Sequence, residues 1–151
     1  MNKIMETTDY VEVLFVEDRP EDAELTIRSL KEHNLVNQIK LIEDGQEALD
    51  YLFGHGSFKE NKPELPKLIL LDLKLPKVSG LEVLERIRKE EDLKHLPVVI
   101  LTSSNEDIDI AKAYELGANS YIVKPVDFVN FAKAIKQVGL YWLVLNRAPN
   151  Q

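Results

Sequence analysis

The sequence predicts an α/β domain built on a parallel β-sheet. Short apolar runs alternate with segments of helical period along the chain, and two of those runs are apolar without interruption. Leu68-Ile69-Leu70-Leu71 and Val98-Val99-Ile100-Leu101 lack the polar alternation of a half-exposed strand, so they are read as central strands buried on both faces. The chain has 151 residues, 44% hydrophobic and 30% charged, which suits one folded domain and argues against disorder.

Each element follows from local chemistry. Val11 to Val16 is β-branched and aromatic and stops at Glu17-Asp18-Arg19; Pro20 then suits the first position of a helix, where its missing N–H costs nothing. Ala23, Ile27 and Leu30 recur along that helix at helical spacing. Ile39 to Ile42 reads as a second strand, and Asp44-Gly45 as the turn into a helix carrying Ala48, Leu49 and Leu52. Gly54 to Pro66, rich in glycine, proline and polar residues, is expected to be an exposed, mobile loop. Pro76 and Gly80 punctuate the loop after Asp72, and Leu81, Leu84 and Ile87 mark the next helix. A helix from about Glu106 to Leu116 stops at Gly117, and Ser120 to Val123 is the last strand. Asp127 caps a final helix running to about Asn146. The domain is placed at residues 10–146, with flexible tails at 1–9 and 147–151.

Composition excludes several classes of function. With no cysteine there is neither a disulfide nor thiolate chemistry. A net charge of −7 argues against direct nucleic-acid binding, which needs clustered cations. No apolar run approaches the ~20 residues of a membrane span, and the start lacks the features of a signal peptide, so a cytoplasmic protein without membrane contact is expected.

Polar residues stand at the carboxyl ends of the apolar runs: Glu17 and Asp18, Asp72, Thr102 and Lys124. In an open parallel sheet ligands bind outside those ends, so four strands bring three carboxylates, a hydroxyl and an ammonium to one edge. Each has an ordinary reading: a helix cap for Glu17-Asp18, strand ends for Asp72 and Thr102, a turn for Lys124-Pro125. Their conjunction does not. Three clustered carboxylates resist ionising unless a cation holds them, and oxygen ligands suit a hard ion, Mg²⁺ or Mn²⁺ as substitute. Thr102 and Lys124 then suit phosphate oxygens, which points to phosphoryl transfer with Asp72 as nucleophile.

The motifs VEDRPEDAEL, ILLDLKLPKVSGLEVL, VVILTSSN and GANSYIVKPVDF closely resemble the receiver domain of two-component response regulators, from about Val11 to Asn146. The narrower likeness is to the single-domain regulators of phytochrome histidine kinases. The resemblance implies a flavodoxin-like, CheY-like fold with strand order 2-1-3-4-5 and five helices on both faces. It implies that Asp72 accepts phosphate from a phosphohistidine of a sensor histidine kinase, here a bacteriophytochrome. Asp18 and Asp72 would ligate Mg²⁺ directly, Glu17 through water, and the Lys74 backbone carbonyl would complete the set. Lys124 would pair with a phosphate oxygen and Thr102 would donate a hydrogen bond to the phosphoryl group. Tyr121 would be the aromatic switch, and Lys124-Pro125 a cis peptide. The Lys74 side chain is expected to overhang the phosphoryl group.

The end of the last helix is apolar almost all round, so homodimerisation through Tyr141, Trp142 and Val144 is expected. Two other readings stand beside phosphorelay. One is a receiver-fold interaction module that relays no phosphate. The other is an aspartate-nucleophile phosphatase, which would need an acid/base aspartate where the chain has Lys74. No P-loop or G-x-G-x-x-G pattern supports a nucleotide enzyme.

Overall fold

The structure, a computed structural model, describes residues 11–32 and 38–137. Five strands, β1 (Val13–Val16), β2 (Ile39–Ile42), β3 (Leu68–Leu71), β4 (Val98–Thr102) and β5 (Ser120–Val123), form one parallel sheet in the order β2-β1-β3-β4-β5. Four helices connect them, α1 (Pro20–Glu32), α2 (Gly45–Phe53), α3 (Gly80–Lys89) and α4 (Asp107–Glu115), and α5 (Phe128–Gln137) follows β5. The order expected from the resemblance is the order observed.

Side-chain alternation divides the core into two layers. Leu14, Val16, Ile69, Leu71, Val98 and Ile100 point to the face covered by α2 and α3. Val13, Phe15, Leu70, Val99, Leu101 and Ile122 point to the opposite face, where α1 and α5 supply Ala23, Leu30, Phe131 and Ala134. With both faces covered, β1, β3 and β4 are buried at every position, which is why their sequences show no polar alternation. The register pairs Val16 with Ile42 and with Leu71, so neighbouring strands end level and deliver their next residues to a common edge.

Helix starts follow their capping residues. The Asp44 carboxylate accepts from the Glu47 N–H at 2.6 Å, and Ser79 Oγ accepts from the Glu82 N–H at 3.3 Å. Asp127 likewise accepts from the Asn130 N–H at 2.8 Å, as its place before the last helix predicts. Gly54 ends α2 in the left-handed region (φ 74°), which glycine enters without a Cβ penalty.

Three local expectations need correction. On α1 the fully buried positions are Ala23, Thr26 and Leu30, while Ile27 is only half-buried. Gly54 to Pro66 is not a uniformly exposed loop: Gly56–Phe58 forms a 3₁₀ turn, and Phe58 packs edge-on against Tyr51 at 5.1 Å. One turn is too short to show a period, and the aromatic contact that seats it is tertiary. Gly80, read as loop punctuation, is the first residue of α3. The tails at 1–9 and 147–151, the helix beyond Gln137, and Tyr141, Trp142 and Val144 lie outside the described residues.

Arg88 staples the far end of the sheet. Its guanidinium donates to the carbonyls of Gly117 (2.9 Å), Leu96 (2.8 Å) and Lys94 (3.2 Å) and to Asn119 Oδ1 (2.9 Å). Burial lowers its pKa. Arg88→Ala strands these acceptors and is expected to cost about 2–3 kcal/mol, read as a lower urea midpoint. Arg88→Lys, which keeps the charge but not the planar fork, should fall between.

Candidate functional site

The carboxyl edge of the sheet gathers every residue that strand ends put forward. Glu17 follows β1, and its backbone N–H donates to the Ile42 carbonyl at 2.9 Å. Asp72 follows β3, with its N–H on the Val16 carbonyl at 3.1 Å. Thr102 closes β4, and its carbonyl accepts from the Lys124 N–H at 2.8 Å. The ladder therefore fixes the backbone of all four before any side chain acts.

Carboxylate oxygens of Glu17, Asp18 and Asp72 lie within 4.8 Å of one another. Glu17 and Asp72 are buried and Asp18 is partly exposed, so the cluster meets solvent at Asp18. Lys124, the residue after β5, reaches into it, and its peptide bond to Pro125 is cis. Its Nζ donates to Asp72 Oδ2 at 3.1 Å and forms a 2.6 Å ion pair with Glu17 Oε1. Asp22, from the first turn of α1, accepts a third contact at 2.9 Å. The Lys74 backbone N–H donates weakly to Asp72 Oδ1 at 3.4 Å, which orients the second acceptor oxygen. The Lys74 side chain is exposed. Thr102 Oγ1 is buried and has no hydrogen-bond partner among the described residues.

Burial, reinforced by the Asp72 charge, pushes the Glu17 carboxyl up to about 7. For Lys124 burial acts against the charge, but Glu17, Asp22 and Asp72 outweigh it and raise its pKa. One ammonium thus holds together carboxylates that would otherwise repel. The donor set fits a hard divalent ion, since it is all oxygen, doubly buried and short of cationic charge. Ionising Glu17 is then coupled to metal binding. Mg²⁺ affinity should rise with pH through about 7, with a proton released, measured by calorimetry in buffers of different ionisation enthalpy. Because the folded pKa lies above the unfolded 4.5, this group's contribution to metal-free stability is full below about 4.5 and fades as pH climbs through about 7.

Tyr121 is half-buried on β5, and its hydroxyl donates to the Ser104 carbonyl at 2.9 Å, in the loop after β4. It therefore touches the segment that follows Thr102. Asp22 is the site residue that sequence reasoning missed. An acid in the first turn of a helix reads as a complement to the helix dipole, and only the fold brings it to a lysine 102 residues away. Among the described residues, no helix is long and apolar enough to cross a membrane.

Comparison with known proteins agrees with this geometry. The family description "Response regulator receiver domain" matches residues 13–136. The solved structure of the bacteriophytochrome response regulator AtBRR superposes with a TM-score of 0.80 at 48% identity, covering 88% of this chain and 95% of that one. Response regulator Rcp1 of Synechocystis is 38% identical over 131 residues, 87% of this chain and 88% of its own length. Its Mn(2+)-bound crystal form superposes with a TM-score of 0.72, at 35% identity over 88% of this chain and 94% of that one. The "Probable methanogenesis regulatory protein FilR2" of Methanothrix harundinacea is 39% identical over 146 residues, 97% of this chain and 92% of its own. Strand order, edge chemistry and relatives converge, and the chain belongs to the response regulator receiver family.

Proposed function

We propose that this chain is a single-domain response regulator that takes a phosphoryl group from a kinase phosphohistidine onto Asp72 in an Mg²⁺-dependent reaction. The observation that carries this reading is the buried Lys124 ammonium, shared by Glu17 and Asp72 beside a Thr102 hydroxyl with no partner among the described residues. An Asp72 oxygen attacks phosphorus, the P–O bond forms as the P–N bond breaks, and the electron pair returns to the imidazole. Glu17, Asp18, Asp72 and the Lys74 carbonyl would hold Mg²⁺, which when bound offsets charge on the phosphoryl oxygens. Mn²⁺ would substitute.

The remaining steps belong to the side chains. Lys124 passes from the carboxylates to a phosphoryl oxygen, and Thr102 Oγ1 donates to another. Thr102 draws on the loop after β4, where the Tyr121 hydroxyl is fastened to Ser104, and the face made by α4, β5 and α5 changes. Such a protein is a regulatory phosphoacceptor, catalysing only its own phosphorylation and dephosphorylation. The likeness to the bacteriophytochrome response regulator AtBRR supports a bacteriophytochrome kinase as partner. Homodimerisation through Tyr141, Trp142 and Val144 rests on the sequence pattern alone.

Incubation with acetyl phosphate and Mg²⁺, followed by mass spectrometry, tests the reading. The parent should gain one phosphoryl group on Asp72, and Asp72→Asn should lose at least about 100-fold of the labelling rate. A folded parent that never gains phosphate would instead be an interaction module on the same fold.

A further inference from the structure

Asp22 lies outside the metal trio, yet it is bound to Lys124. Its Oδ2 accepts from Lys124 Nζ at 2.9 Å, against 3.1 Å for Asp72. The three carboxylates on that nitrogen differ in exposure: 0% for the Glu17 side chain, 5% for Asp72 and 28% for Asp22. Asp22 is therefore the outer partner, on the side where a cleft of about 340 Å³ runs past Arg19, Thr26, Ser103 and Pro125.

We propose that Asp22 is a positioning residue that holds Lys124 in the resting protein and competes with an incoming phosphoryl group for its ammonium. The inference rests on the phosphoryl-accepting reading of Asp72. A divalent ion on Glu17, Asp18 and Asp72 would draw on the charge with which two of them hold Lys124, and Asp22, outside that trio, would keep its grip. A phosphoryl group on Asp72 must then win the lysine from Asp22. It must also accept a second negative charge nearby, since Asp22 and Asp72 both stand within 3.1 Å of one nitrogen.

Arg19 lowers the cost of the exchange. Its Nε lies 3.3 Å from the same Asp22 oxygen, so the carboxylate keeps a cation when Lys124 departs. A carboxylate left unpaired would oppose the handover more strongly. Asp22 thus sets the threshold for engaging Lys124 without touching the acceptor. An acid serving only the dipole of α1 would influence helix stability and leave Lys124 as it was.

Two measurements on the parent and Asp22→Asn, which preserves side-chain shape, test this. First, metal-free protein is acylated with an excess of N-hydroxysuccinimidyl acetate and each lysine is followed by mass spectrometry. Lys124 should react about 3- to 10-fold faster in Asp22→Asn, with exposed Lys94 unchanged as internal reference. Second, beryllofluoride, which stands in for the phosphoryl group, is titrated with Mg²⁺ present and should bind Asp22→Asn about 5-fold more tightly. Unchanged Lys124 reactivity overturns the hold, and equal or weaker beryllofluoride binding overturns the competition. A parent that binds no beryllofluoride would sink the phosphoryl-accepting reading and the competition with it, while acylation still decides whether Asp22 holds the lysine.

Discussion

Replacing Lys124 with alanine is expected to destabilise the metal-free protein by about 2–4 kcal/mol and to tighten its hold on Mg²⁺ by about tenfold. The lysine side chain is 9% exposed and meets three carboxylates, two of them almost fully buried. Removing one partner of a buried pair costs more than forming the pair contributes, because the stranded charge keeps its full desolvation penalty. Here two such charges are stranded together, and Asp22 adds less because it is partly in water. The variant must then take up protons or bind a cation, so its loss should shrink when Mg²⁺ is added. Urea unfolding with and without MgCl₂ measures the first effect and calorimetric titration the second. The pair Lys94–Glu91 offers a contrast, since its side chains are 41% and 82% exposed and Lys94→Ala should cost under about 0.5 kcal/mol. Equal stability of Lys124→Ala and parent without metal would mean that the three contacts carry no energy.

That contrast also explains how much of the site could be read from the sequence. Glu17, Asp72 and Thr102 were legible because each stands at the end of an apolar run whose burial fixes it as a strand, and Lys124 because it follows the short strand Ser120–Val123; parallel strands must end at one edge. Asp18 came with its neighbour. Asp22 was not legible, because its contact depends on the fold bringing the first turn of α1 to the residue after β5. Arg88 shows the same limit from the structural side. In the last turn of a helix it reads as a dipole complement, whereas it fastens three backbone carbonyls and Asn119.

The fold divides along the same line. β3 and β4 declare themselves because burial on both faces removes every polar residue from them. The α1 stripe was nearly right. Thr26 is buried where only apolar residues were sought, because a threonine is small and carries a methyl group that packs. The 3₁₀ turn at Gly56–Phe58 depends on Tyr51, and no local pattern announces a contact made seven residues away.

Gly80→Ala is expected to lower stability by about 3 kcal/mol, although helix propensity alone favours alanine by up to ~1 kcal/mol. A Cβ on Gly80 would lie 2.0 Å from the Asp72 carbonyl oxygen and 2.7 Å from Leu73 Cα, and backbone cannot yield as a flexible side chain does. The Gly80 N–H also donates to the Leu73 carbonyl at 2.8 Å, so the start of α3 is seated on the backbone at Asp72 and Leu73. Pushing α3 away must therefore move Asp72 relative to Glu17 and Asp18, and Mg²⁺ affinity should fall by about tenfold or more. Ser79→Ala separates the two effects. It removes only the cap on the Glu82 N–H, so it should cost about 1 kcal/mol or less and leave Mg²⁺ affinity unchanged. Chemical unfolding and metal titration of both variants decide the matter. Gly80→Ala with lowered stability but parental Mg²⁺ affinity would show that the seat of the helix and the geometry of Asp72 are independent. Loss of both would show that the missing side chain at Gly80 lets a helix pack directly against the backbone that aims Asp72.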